Sequence, residues 1–76
     1  MKQTIRLNPA NYVIKVLGGT VMTAKILNRH HSTVWRWVDK KGGYIPSKAR
    51  KEILQLSKKL NLDITSEDLD YGREIH

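Results

Sequence analysis

The residues with the most recognition chemistry sit close together: His31, Ser32, Trp35, Arg36 and Lys40. On a helix, at about 100° per residue, Ser32, Trp35, Arg36 and Asp39 share one sector with Lys40 on its flank. Val34, Trp37 and Val38 fall in the opposite sector, together with Lys41. Such a helix has an apolar stripe to bury and a polar, aromatic and cationic stripe to present. A guanidinium is a planar fork of donors that fits a phosphate or the O6/N7 edge of guanine. A hydroxyl and an imidazole donate and accept, and an indole offers apolar area. A tryptophan facing solvent beside an arginine is unusual on a surface that binds nothing. Trp35 therefore contacts a ligand, lies on its own surface against His31 or Asp39, or is buried between two copies.

Bond-making chemistry has no comparable cluster. No Ser/His/Asp order stands out, and most carboxylates lie in the last sixteen residues. Gly18-Gly19 and Gly42-Gly43 lack the following lysine of a phosphate loop and read as helix stops. There are no cysteines, which excludes disulfides and thiolate metal sites. His30 and His31 are adjacent and point in different directions, a poor spacing for metal ligands. The expectation is a protein that is not an enzyme and carries no metal or cofactor.

The charge is segregated. Residues 1–60 hold 13 lysines and arginines against Asp39 and Glu52, a net +11, whereas residues 61–76 hold Arg73 against five acids, a net −4. A basic body with a separate acidic end fits a polyanion-binding surface, and it fits equally a solvated surface with no target.

The elements that must position these groups can be read in order. Residues 1–7 form either a short extended segment, from the alternation of Ile5 and Leu7, or a loosely held basic arm carrying Lys2 and Arg6. Asn8-Pro9 starts a helix of about residues 9–17, with Ala10, Val13, Ile14 and Leu17 on one face and Gly18-Gly19 as its stop. Thr20 is the expected N-cap of a second helix whose apolar positions are Val21, Ala24, Ile26 and Leu27. Ala24 is small enough for another helix to approach closely, and Asn28 tolerates the positive φ of a tight turn. The third helix begins between His30 and Ser32 and runs to about Lys40. After a loop at 41–45, Pro46-Ser47 opens a basic amphipathic helix of about 14 residues with Ala49, Ile53, Leu56 and Leu60 inward and Asn61 at its end. Leu62 and Ile64 anchor the chain to the core. Thr65-Ser66-Glu67-Asp68 opens a short last turn pinned by Leu69, with residues 71–76 frayed or Tyr71 and Ile75 packed on a partner.

A small residue, a turn residue four positions later and apolar residues inside the next helix are what two steeply crossing helices require. Ala24, Asn28, Val34 and Trp37 meet that requirement. The stretch Leu17-Gly18-Gly19, Ala24, Leu27 and Thr33-Val34-Trp35-Arg36-Trp37-Val38 resembles the helix-turn-helix of phage Cro and repressor proteins, especially small Cro-like or YdaS-like regulators. Ile45-Pro46 with its basic helix and Ile64-Thr65-Ser66-Glu67-Asp68-Leu69 extend the resemblance over roughly residues 10–70. Asn28 replaces the usual turn glycine. His30 and His31 replace the usual serine cap and glutamine, and Trp35 replaces a residue that is often small and polar.

The resemblance implies an all-α, lambda-repressor-like bundle of four to five helices in one domain. It implies a sequence-specific regulator of transcription, a repressor or Cro type, bound to a double-stranded DNA operator as a homodimer. His31, Ser32, Trp35, Arg36 and Lys40 are then the base-reading residues, and Thr20, Thr23, Lys41 and Lys48 the phosphate contacts. Arg36 pairs with guanine, or alternatively with phosphate. The N-terminus has no apolar signal region and no run is long enough to span a bilayer, so a cytoplasmic location, without a membrane partner, is expected. The competing expectation is a protein-binding module, an antitoxin or adaptor, using the acidic end and Leu69, Tyr71 and Ile75.

Overall fold

The computed structural model describes residues 4–75. Strand β1 (Ile5–Leu7) leads into α1 (Pro9–Leu17), α2 (Thr20–Ile26), α3 (His31–Asp39), α4 (Ser47–Leu60) and α5 (Ser66–Tyr71), and β2 (Arg73–Ile75) closes the chain. The described chain is mostly helical, but it is not all-α as expected. β1 and β2 pair antiparallel, Ile5 with Ile75, Arg6 with Glu74 and Leu7 with Arg73. Residues 5–7 are therefore neither an arm nor a frayed end, and residues 71–75 are the end of α5 and a paired strand. Lys2, the other cation of the expected arm, and His76 lie outside the described residues.

The helix ends obey local chemistry. Asn8 Oδ1 accepts the Asn11 N–H at 2.9 Å, a cap contributing about 1 kcal/mol. The N–H groups of Gly18 and Gly19 both donate to Ile14 O, at 3.0 and 2.8 Å. Gly18 sits at φ +95°, where a Cβ would be strained. Asn28 and Asn61 take up the left-handed conformation at φ 54° and 55° and let the chain leave α2 and α4. Gly19, at φ +113°, stands in the N-cap position of α2 with no side-chain cap, and Thr20 is the first helical residue rather than the cap. Thr65 and Asp68 form a reciprocal capping box at α5.

The core is built from Ala10, Tyr12, Val13 and Leu17 of α1, Ala24 and Leu27, Val34 and Trp37 of α3, Ile45, Ala49 and Ile53, with Ile64 and Leu69 closing it. α2 and α3 pack against each other, and α1 packs against both. The Arg29 N–H donates to Ala24 O at 2.8 Å, so Ala24 serves both the helix crossing and the turn. Three expected core positions are instead exposed: Val21 at 61%, Ile26 at 39% and Leu60 at 53%. Among the described residues no element covers Val21, Ile26 or Leu60.

Two polar side chains fill core positions that periodicity gives no reason to expect. Ser57 Oγ lies 2.9 Å from Leu62 O and 2.8 Å from Ile64 O and donates its one proton to either, fastening the reversal after α4. Tyr12 Oη donates to Asp63 O at 2.6 Å, and burial, outweighing the nearby Arg73, pushes its phenol above the ordinary value.

Candidate functional site

α3 is held rigidly from behind. Val34 and Trp37 are buried and Val38 packs partly on the core. The Arg29 guanidinium is 6.0 Å from the Trp37 ring centroid, and it pairs with Glu52 of α4. That hydrogen bond holds the Glu52 carboxyl below its usual range, against some desolvation. The turn entering α3 is thereby tied to α4. Sequence alone gave Arg29 no role, because its partner is 23 residues away.

The start of α3 is set by His30, which is the N-cap. Its Nδ1 accepts the Ser32 N–H at 3.2 Å and lies 2.8 Å from Ser32 Oγ. A ring nitrogen that accepts from a backbone N–H carries no proton, so the Ser32 hydroxyl also donates to it. With its proton so used, the Ser32 oxygen can act toward a ligand only as an acceptor. The His31 ring stacks on His30 with centroids 4.3 Å apart and planes tilted by 30°. One imidazole, that of His30, thus caps the helix, and that of His31 packs against it.

The outward face of α3 matches the expected sector. His31, Ser32, Trp35, Arg36, Asp39 and the following Lys40 are all exposed, with Trp35 at 54%. The backbone N–H groups of Lys40 and Lys41 both donate to Arg36 O, at 2.9 and 3.0 Å, fixing where those lysines leave the helix. Lys41 and Lys48 are exposed and Thr20 is half-buried.

Thr23 departs from expectation. It is fully buried, and its hydroxyl donates to Gly19 O at 2.7 Å, so it has neither the exposure nor the free proton that a phosphate contact needs. Periodicity alone did not distinguish it from Val21: Thr23 turns inward one turn after Gly19, and Val21 turns outward. Val21 and Met22 are exposed beside Thr20. Tyr44 is exposed too, with its ring 5.8 Å from the Arg50 guanidinium.

The electrostatic pattern separates arginines from lysines. Arg6 pairs with Glu74, Arg29 with Glu52, Arg50 with Asp70, and Arg73 with Asp63 and Asp68. Among the described residues Arg36 is the one arginine outside an ion pair, and none of the eight lysines belongs to one. The acidic end is largely neutralised within the molecule, because among the described residues Glu67 alone of its five carboxylates is without a cation. The excess positive charge therefore lies in exposed, uncommitted groups, and an arginine at the centre of the exposed α3 face is one of them.

Among the described residues there is no group of three or more potential metal ligands, and no helix is long and apolar enough to cross a membrane. No protein-family model, curated protein or solved structure matches the chain.

Proposed function

We propose that the protein is a sequence-specific double-stranded DNA-binding regulator of Cro/repressor type, in which α2 and α3 act as a helix-turn-helix and α3 enters the major groove. The observation that carries this reading is the exposed Arg36 on α3, the one arginine outside an ion pair among the described residues. It stands on a helix whose opposite face is fixed in the core. An uncommitted guanidinium on a rigid helix is suited to bidentate pairing with guanine, a contact contributing about 1–3 kcal/mol of discrimination.

Ser32, with its proton committed to His30, accepts from an adenine or cytosine amino group. Trp35 supplies apolar area for a thymine methyl, and His31 and Lys40 reach base edges at the two ends of α3. Thr20, Lys41 and Lys48 contact phosphates, which position the helix and carry no sequence information. Thr23 is removed from that set. A single module this small has limited affinity, so the protein acts as a homodimer on a palindromic site with half-sites about one helical turn, roughly 34 Å, apart. Its place of work is the cytoplasm, on the nucleoid.

The second reading is a protein-binding module such as an antitoxin or adaptor. The exposed apolar residues Val21, Met22 and Ile26 of α2 favour it, since such side chains gain from covering by a partner. Selection of DNA from a random duplex library by the purified protein separates the two. A palindromic consensus supports the regulator. No enrichment, together with tight capture of a protein partner that is lost on Met22→Asp, supports the module.

A further inference from the structure

We infer that the outer face of α4 is a second phosphate-binding track, engaging duplex backbone outside the segment read by α3; this rests on the DNA-binding reading above. Lys48, Lys51, Lys58 and Lys59 fall within a sector of about 100° on the helical wheel of α4. All four are exposed, and none is in an ion pair among the described residues. From Lys48 to Lys59 the helix rises roughly 16 Å, comparable to about five base-pair steps of roughly 3.4 Å along the DNA axis.

The fold accounts for these cations only in part. Lys48 stands in the first turn of α4, where the helix dipole is already positive and no acid lies. The Glu52 carboxylate attracts it, and Lys58 and Lys59 at the other end favour the helix, but none of the four is held in an ion pair among the described residues. Glu52, the acid flanking the stripe, is held by Arg29 and joins α4 to the turn that leads into α3. The track is therefore tied, through that pair, to the turn that precedes α3.

Other occupants fit less well. The opposite face of α4 is buried through Ala49, Ile53 and Ser57, which leaves no apolar face to enter a bilayer surface. The acidic end of a second copy is a poor partner, because Asp63, Asp68, Asp70 and Glu74 are neutralised within their own chain. A polyanion with regularly spaced charge remains.

The test uses the full chain and its selected site in two duplexes, one trimmed to the consensus and one with about ten flanking base pairs on each side. The triple variant Lys51→Gln, Lys58→Gln, Lys59→Gln should keep the wild-type melting temperature and consensus. On the long duplex its affinity at low salt should fall at least tenfold. The slope of log affinity against log salt should also shrink by about 2–3, at roughly 0.9 for each phosphate that the variant no longer neutralises. On the trimmed duplex the two proteins should bind alike. Equal slopes and affinities on the long duplex, with the wild type still bound to its site, overturn the track and leave the DNA-binding reading standing. An altered consensus overturns it too, because a phosphate track reads no sequence. If the wild type selects no DNA, that reading falls and this inference with it; retention on anionic phosphatidylglycerol vesicles that the triple variant loses would then assign the stripe to a membrane surface.

Discussion

Arg73 and Asp68 form a bidentate pair: Nε donates to Oδ1 at 2.9 Å and Nη2 to Oδ2 at 2.7 Å. The same guanidinium donates to Asp63 at 2.5 Å and lies 4.7 Å from the Tyr12 ring centroid. Asp68 also accepts the Thr65 N–H at 2.8 Å. One arginine five residues beyond Asp68 thus ties the capping box of α5, the loop after α4 and the outer edge of α1 together. The acidic end, whose last residues the sequence leaves frayed or packed on a partner, is a folded closure.

Arg73→Ala should leave the Asp68 carboxylate buried with only the Thr65 groups as partners. Removing one member of a largely buried pair of this kind costs about 2–3 kcal/mol, which in a domain this small lowers the melting temperature by roughly 10 °C or more. Thermal unfolding by circular dichroism at neutral pH checks this. A melting temperature within a degree or two of wild type would show that the closure contributes nothing.

The same pair sets a pH dependence. Burial pushes the Asp68 carboxyl up, but the Arg73 guanidinium and the Thr65 N–H and hydroxyl outweigh it and hold it below the usual range. A carboxyl depressed in the folded state contributes stability that is complete above its unfolded value, near 3.9. That contribution is lost as pH falls through the lower folded value. The stability difference between wild type and Arg73→Ala should therefore be constant from neutral pH to about pH 5 and shrink below about pH 4. Urea unfolding of both proteins across that range measures it. A difference that grows on acidification has the wrong sign for this mechanism.

Gly72→Ala tests the sheet. Gly72 lies at φ +78° and ψ −165°, a conformation that is essentially glycine's alone, and a Cβ there would fall on Leu7 O. The substitution should cost about 2–4 kcal/mol. It should also raise amide exchange in Ile5–Leu7 and Arg73–Ile75 before it does so in α1 or α3. Uniform exchange changes across the chain would mean that the sheet is not a separable closure.

What the sequence displayed and what it hid follow from the range of each interaction. The ends of α1 and α4 and the exit from α2 were legible because Asn8-Pro9, Gly18-Gly19, Asn28, Pro46 and Asn61 act within a few residues of themselves. The division of Trp37 from Trp35 was legible because one helical wheel suffices. The pairing of Ile5 with Ile75 was not, because it depends on residues at opposite ends of the chain. Val21 and Leu60 match a helical period, yet no neighbouring element reaches them. Thr23 and Ser57 are polar by type, yet both are buried, because nearby backbone carbonyls, Gly19 O for Thr23 and Leu62 O or Ile64 O for Ser57, accept from their hydroxyls. Composition displayed the acids of the C-terminal segment but not their arginines, of which Arg6 and Arg50 come from distant elements.

Ala24→Leu probes the crossing of α2 and α3. Ala24 is buried at 3% exposure, and its carbonyl accepts the Arg29 N–H that shapes the turn. Three extra carbons there must push the helices apart or strain the turn, at about 1–3 kcal/mol. The melting temperature should fall and the near-ultraviolet signal of Trp37 should change. An unchanged melt would mean that the crossing has room that the close packing of α2 on α3 does not suggest.

Arg36→Ala separates recognition from folding more cleanly than any other change. The side chain is exposed and belongs to no ion pair among the described residues, so its removal should move stability by less than about 0.5 kcal/mol. On the proposed function it should lower affinity for the selected site by roughly 5- to 150-fold, corresponding to about 1–3 kcal/mol, with little change on random duplex. Electrophoretic mobility shift with both duplexes at matched salt, alongside a thermal melt, provides the comparison. An equal loss on both duplexes would make Arg36 a phosphate contact. No loss on either would remove it from the interface, and with it the observation on which the major-groove placement of α3 chiefly rests.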